Sequence, residues 1–334
     1  MRNIIFIVFV FLTQLSFSQR LEMKADFNDN QVHDLKDIHI RDPYILADKK
    51  TKTYYLYRSS SVVNEKGEQI GGVEAFVSKD LKKWYGPKRV FTVPSNNWIN
   101  GRVWAPEVHF YRGKYYLFAT LNSSLTWKKA KEDWPAYTFR GTQIFYSDNP
   151  EGPFLHFDLI PHTPIDNMAL DGTLWEEDGK PYMIYCHEWV EIVDGTMNLV
   201  ELKSDLSAPV GQPIRLFNAS SAPWVPDEAK NYVTDGCFLY RTKNNKLLMI
   251  WSSFSSKGYA VGIAESTTGR VIGPWKQHET PLLNENGGHG MIFTTFDEKI
   301  CLILHQPNSP GGSERALIYE LEDTGDSLAI KSIL

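Results

Sequence analysis

The sequence predicts an all-β chain folded as a five-bladed β-propeller. Three observations carry that prediction. First, a polar opening followed by an apolar β-hairpin recurs five times in 334 residues. Second, the openings are evenly spaced: Asp42 to Glu107 is 65 residues, Glu107 to Asp171 and Asp171 to Asp235 are 64 each, and Asp235 to His289 is 54. Third, no stretch of useful length carries a helical period. A unit of about four short strands buries one sheet face only by packing on its neighbours, and radial stacking solves that problem for all units at once. A β-sandwich is the competing architecture, but the period is too long and too regular for it.

The units follow in order. Unit one opens at Arg41-Asp42-Pro43-Tyr44-Ile45-Leu46, turns through Asp48 to Lys52 and returns through Thr53 to Tyr57. An acid and a proline before a short apolar run, then a charged turn, read as a hairpin with a carboxylate at its mouth. It continues through Gly72 to Ser78 and closes at Trp84. Unit two opens at Trp104-Ala105-Pro106-Glu107-Val108, turns at Arg112-Gly113-Lys114, and ends near Gly152-Pro153-Phe154. Unit three opens at Leu170-Asp171-Gly172-Thr173-Leu174 and returns through Pro181 to Cys186. Unit four opens at Thr234-Asp235-Gly236-Cys237, returns through Leu247 to Trp251, and closes at Gly273-Pro274-Trp275. Unit five opens at Gly287-Gly288-His289-Gly290 and ends with Arg315 to Leu321. Trp84 and Trp275 hold matching outer positions and read as blade packing.

The ends of the chain read differently. Residues 1–18 have a charged start at Arg2, an apolar run from Ile4 to Leu12 and a small-x-small site at Ser16-Phe17-Ser18, the pattern of a cleaved secretory leader. The run is too short for a comfortable membrane span. The expectation is a secreted or periplasmic protein with no membrane association after cleavage. Residues 19–37 read as a polar lead-in and residues 38–334 as one propeller domain. Formal net charge is -5 and no basic cluster stands out, so a nucleic-acid partner is not expected. Cys186, Cys237 and Cys301 each sit inside an apolar run, and an odd, widely spaced set reads as buried thiols.

Propeller geometry gathers the openings. The innermost strand of each blade starts near the axis on one face, and its hairpin partner returns there. One funnel is therefore expected to collect Asp42, Glu107, Asp171, Asp235 and His289. The ends of the second strands should join them: Arg58, Asn122, His187-Glu188-Trp189, Ser252-Ser253 and His305-Gln306. Trp104, Trp189 and Trp251 would offer faces for stacking a sugar. Carboxylates held close raise at least one pKa, which lets an acid and a base coexist at neutral pH.

These openings, taken together, resemble glycoside hydrolase family 43. The matching pieces are Arg41-Asp42-Pro43-Tyr44-Ile45, Trp104-Ala105-Pro106-Glu107-Val108, Leu170-Asp171-Gly172-Thr173-Leu174, Val233-Thr234-Asp235-Gly236 and Gly287-Gly288-His289-Gly290, over residues 38–321. Cys186-His187-Glu188-Trp189 and Leu304-His305-Gln306-Pro307-Asn308 look like the arabinofuranosidase-like branch. The resemblance implies an inverting enzyme that cleaves α-L-arabinofuranosyl or β-D-xylosyl linkages in plant polysaccharides or their oligosaccharides. The carbohydrate would be its partner. Asp42 would be the general base, and Asp171 the acid that tunes and orients the proton donor. The family's donor position reads Glu-Gly-Pro, whereas this chain has Asp235-Gly236-Cys237, one methylene shorter. Glu188, on the same rim, is the donor favoured here, with Asp235 as the alternative. Trp104, Glu107, Asp235, Trp251 and His289 would then bind substrate. No cofactor is required. The family often carries an axial ion near the position of His289, so a structural Ca2+ is allowed for, although one imidazole is a poor set for a hard cation. Two other readings stand beside this one: an endo-arabinanase, and a propeller that binds sugar without cleaving it.

Overall fold

The computed structural model describes residues 31–334 except 64 and 100. The leader read at residues 1–18, and most of the lead-in, lie outside the described residues. The described end of the lead-in forms β1 (Val32–Asp34) and a short 3-10 turn, Leu35–Asp37.

Five antiparallel sheets follow, in chain order. Blade one holds β2 (Tyr44–Asp48), β3 (Thr53–Val63), β4 (Gln69–Ser78) and β5 (Lys83–Thr92), with β1 added outside β5. Blade two holds β6 (Arg102–Tyr111), β7 (Lys114–Lys128), β8 (Tyr137–Ser147) and β9 (Leu155–His156). Blade three holds β10 (Ala169–Glu177), β11 (Lys180–His187), β12 (Thr196–Leu202) and β13 (Pro209–Asn218), with one helical turn α1 (Trp189–Ile192) after β11. Blade four holds β14 (Asp235–Arg241), β15 (Leu247–Ser255), β16 (Gly258–Ser266) and β17 (Trp275–Gln277). Blade five holds β18 (Gly288–Thr294), β19 (Ile300–Gln306), β20 (Arg315–Asp323) and β21 (Leu328–Ile333). The protein is a five-bladed β-propeller, as its repeat predicts.

Among the described residues no strand crosses from one blade to another to close the ring. Blades five and one meet instead through a single bridge, His39 to Arg315, and the Ile40 N–H donates to the Glu314 carbonyl at 3.3 Å. Glu314 also takes Arg41 Nη1 and His39 Nε2, each at 3.3 Å. Apolar packing completes the seam, with Phe296 stacked on Tyr54 at 4.2 Å between centroids.

The five openings share one irregularity. Each first strand has a residue at positive φ just before or within its opening: Asp42 (52°), Ala105 (40°), Asp171 (57°), Gly236 (44°) and His289 (50°). In blades two to five this residue sits in a bulge, where the register slips between Trp104 and Glu107, Leu170 and Thr173, Asp235 and Phe238, and Gly288 and Met291. A bulge bends its strand and re-aims a side chain. The true repeat therefore aligns Asp42, Ala105, Asp171, Gly236 and His289. Two expected members are off register. Glu107 lies two residues inside its strand, and Asp235 one residue outside.

Trp251 corrects another expectation. It is 0% exposed, packs on Trp224 and Phe217, and donates Nε1–H to Gln277 Oε1 at 3.0 Å. Its position in β15 points it between sheets, so it has no face for a sugar. Trp84 is equally buried in β5, as blade packing requires. Replacing Trp251 by Ala should cost about 3–5 kcal/mol of stability, the range for truncating a buried aromatic. Urea unfolding measures this, and an unchanged midpoint would put the ring back at the surface.

Candidate active site

A pocket of about 400 Å³ opens at the axis where the first strands begin. Asp42, Asp171, Glu188, Asp235 and His289 line it, with Trp104 and Trp189. The sequence reading placed all seven there. Glu107 does not line the pocket. It is buried beneath, where His109 Nε2 lies 2.7 Å from its carboxylate. The cause is the two-residue offset described above. Arg58 also turns away, to Glu74 at 2.9 Å. A larger hollow, about 900 Å³, lies at the opposite end of blades five and one and contains none of these groups.

Each carboxylate is held differently. Asp42 sits 3.2 Å from His289 Nδ1, 3.3 Å from His305 Nδ1 and 3.8 Å from Arg41 Nε. Burial pushes its pKa up, but His289, His305 and Arg41 together outweigh that and hold it below the usual carboxylate range. Asp42 is thus a committed anion. Asp171 has the opposite balance. Burial raises its pKa well above the usual range, the charges of Asp235, Asp42 and Glu107 add to this, and the Gly236 N–H at 3.1 Å opposes it. Burial also raises Asp235, against the pull of His289 and a hydrogen bond from the Tyr259 hydroxyl at 2.8 Å.

Glu188 is 8% exposed and follows β11, directly before α1. Its backbone N–H donates to the Met168 carbonyl at 2.8 Å. Burial pushes its pKa up to about 7; the Arg140 guanidinium opposes the rise and the Asp235 charge adds to it. Arg140 is the functional residue that sequence reading missed. It pairs with Glu188, donates to Asn122 Oδ1 and Thr138 Oγ1 at 3.1 Å each, and lies 4.5 Å over the Trp104 ring. It sits in β8, a third strand, outside every opening motif. Its one legible signal was a charge in an otherwise uncharged strand. Tyr259 was missed for the same reason, lying in the third strand β16.

The rim is raised on one side. The β7–β8 hairpin extends far beyond its sheet, and Trp134 near its tip donates Nε1–H to the Val190 carbonyl at 2.6 Å. Trp134 also meets Trp189 edge-on at 5.2 Å. The hairpin is thereby tied to α1, beside Glu188.

Among the described residues no three His, Cys, Asp or Glu side chains gather as a ligand set, and His289 turns its Nδ1 to Asp42. His289 acts here as a partner of the carboxylates.

Comparison with known proteins adds relatives to this geometry. The family model for glycosyl hydrolases family 43 matches residues 36–330. The chain is similar to an endo-arabinase from Bacteroides thetaiotaomicron VPI-5482 of known crystal structure, with 35% identity and a TM-score of 0.76, over 88% of this chain and 98% of that one. It is 34% identical over 58 residues to extracellular endo-alpha-(1->5)-L-arabinanase 1 of Bacillus subtilis (strain 168), covering 16% of this chain and 18% of the relative. It is 23% identical over 282 residues to alpha-L-arabinofuranosidase 43 of Humicola insolens, covering 79% of this chain. The matched region spans 53% of that relative, about half its length.

The state of Glu188 can be read without substrate. Its folded pKa of about 7 exceeds the unfolded value of 4.5, so the folded state holds a proton that the unfolded state has lost between those pH values. Stability from this group therefore falls as pH rises from 4.5 through 7, by about 3 kcal/mol in all. Urea unfolding at pH 5 and pH 8 should show that fall in the wild type and lose most of it in Glu188→Gln. Equal pH dependence in both proteins would mean that Glu188 titrates normally.

Proposed function

The chain belongs to glycosyl hydrolases family 43, and from that premise we propose that it is an inverting glycosidase acting on α-L-arabinofuranosyl linkages, with β-D-xylosyl linkages as the second class. The observation that carries this reading is the split between two carboxylates in one pocket: Asp42 held ionised, and Glu188 raised to about 7. Titratable groups pushed apart in this way suit a base and an acid working together.

In this mechanism Asp42 takes a proton from a water as its oxygen bonds to the anomeric carbon. The bond from that carbon to the glycosidic oxygen breaks, and Glu188 gives its proton to the departing oxygen. Inversion needs about 6.5–9.5 Å between the carboxyl groups so that the water fits. Their attachment to different blades across the pocket supports that separation. Asp171 tunes and orients the proton donor, His289 holds Asp42, and Trp104 and Trp189 offer ring faces to the sugar. Asp235 fits the donor role less well, because its carboxylate already takes the Tyr259 hydroxyl and it is the shorter acid.

The raised β7–β8 hairpin walls the pocket on one side, which supports removal of terminal units. The endo-arabinase likeness, at 35% identity, favours internal cleavage as the second reading. Secretion rests on the leader pattern of residues 1–18 and on the word extracellular in the name of the Bacillus relative. Among the described residues no helix is long and apolar enough to cross a membrane.

The test is hydrolysis of 4-nitrophenyl α-L-arabinofuranoside, the β-D-xyloside and debranched arabinan. Asp42→Ala should lose at least about 10²–10⁴-fold in kcat, the usual contribution of a general base. Glu188→Gln should lose a similar factor on arabinan but less on the aryl glycoside, whose leaving group needs little protonation. Full activity of Glu188→Gln alongside an inactive Asp235→Asn would move the donor to Asp235. Sugar binding by the wild type with no hydrolysis would favour the non-catalytic propeller. Arabinose as the first product from arabinan supports the terminal mode, and oligosaccharides the internal one.

A further inference from the structure

The bulges are fastened to one another in a repeating way. In three of the five blades, the second strand carries, opposite the start of the blade's first strand, a side chain that accepts the N–H of the next blade's positive-φ residue. Thr120 Oγ1 in blade two takes the Asp171 N–H at 2.8 Å. Ser252 Oγ in blade four takes the His289 N–H at 2.8 Å. His305 Nδ1 in blade five takes the Asp42 N–H at 3.2 Å. These three acceptors hold equivalent places, since each pairs with the residue just before its own blade's bulge: Thr120 with Trp104, Ser252 with Asp235, His305 with Gly288.

Blade three is one of the two blades outside the series. The residue paired with Leu170, just before the Asp171 bulge, is Cys186. Its thiol is a weak acceptor. It is fully buried and points its Sγ to Met197 Sδ at 3.6 Å. The N–H it would have taken, that of Gly236, turns instead to Asp171 Oδ2 at 3.1 Å. The neighbouring thiol of Cys237 contacts the Asp171 carbonyl at 3.5 Å. Gly236 cannot simply be rebuilt, because a Cβ there would lie 2.7 Å from the His289 ring.

We propose that Cys186 is a positioning residue for Asp171: by leaving the Gly236 N–H unclaimed, it gives the Asp171 carboxylate a backbone donor across the blade boundary. The groups around Asp171 make that donor matter. Asp42 from blade one, Glu107 from blade two and Asp235 from blade four all press a negative charge on it. His289 from blade five stands 3.8 Å away. A hydrogen bond to the charged form favours ionisation, so this N–H works against the burial and neighbouring charges that raise the Asp171 pKa. The catalytic consequence rests on the glycosidase reading above, but the positioning itself does not.

Cys186→Ser places a true acceptor where the thiol was, and Cys186→Ala removes the sulfur without adding one. The Ser hydroxyl should draw the Gly236 N–H away from Asp171. Asp42 is held below the usual carboxylate range and Asp171 above it, so the acid limb of the kcat/KM profile is where a change at Asp171 shows. That limb should move up by about one pH unit in Cys186→Ser, while Cys186→Ala keeps the wild-type limb even if its melting temperature drops. A second readout needs no turnover. The Asp171 carboxyl signal in a ¹³C-Asp-labelled sample, assigned with Asp171→Asn, should titrate at higher pH in Cys186→Ser and unchanged in Cys186→Ala. Identical titrations in all three proteins, or equal shifts in Ser and Ala, would overturn the proposal. If the wild type hydrolyses no glycoside but the carboxyl signal still shifts in Cys186→Ser alone, the glycosidase reading fails and the positioning stands.

Discussion

The site depends on a backbone conformation that side chains disfavour. Five residues at the blade openings adopt positive φ, and only one of them is glycine. A non-glycine residue there costs on the order of 1–3 kcal/mol and persists only where surroundings fix it. The fixing agents are visible as the acceptors Thr120, Ser252 and His305, each reaching across a blade boundary to the strained N–H. The strain is spread around the ring and locked by the same contacts that join the blades. Asp tolerates this conformation better than most residues. That tolerance is one physical reason why Asp42 and Asp171 stand at these openings, aimed inward at the axis.

Once aimed, the carboxylates repel one another in a buried space. The protein resolves this by giving its cations unequally. Asp42 has the Arg41 guanidinium and the His289 imidazole beside it, while Asp171 takes a backbone N–H from Gly236. Glu188 receives Arg140, and still its pKa rises to about 7, because burial outweighs the guanidinium. The four acids thus span a wide range of proton affinity within one pocket. That spread comes from which blade edge carries a cation and which carries only a dipole.

The propeller was legible in the sequence because its cause is local and repeated. Each blade needs an opening, a turn and a return, and those units recur in the chain at nearly constant spacing. The register of the repeat was not legible. Aligning acids with acids put Glu107 and Asp235 level with Asp42, whereas the backbone aligns Ala105 and Gly236 with it. The bulge decides the register, and a bulge has no fixed residue signature beyond its tolerance of positive φ. Trp251 misled for a related reason: a Trp near the end of a second strand can face the funnel or the gap between sheets, and strand alternation alone does not say which. Arg140 and Tyr259 come from third strands and bear on the site through the acids they hold, Glu188 and Asp235.

The departure at blade four follows from this register. With Gly236 in the strained place, the blade has no side chain to aim from it, and a side chain there would strike His289. The carboxylate of blade four is displaced to Asp235, where Tyr259 holds it. Blade three then carries two acids at one hairpin end, Asp171 at the head of β10 and Glu188 just past β11. Leu170 pairs with Cys186 and Ala169 with His187, so a continuous ladder joins the two. Acids fixed through one ladder keep their separation when neighbouring blades shift, whereas acids on separate blades do not. A proton donor and the acid that orients it need that constancy more than a base does, since the base acts through a mobile water. The loss of a carboxylate from the strained position in blade four and the appearance of Glu188 in blade three are therefore two sides of one arrangement.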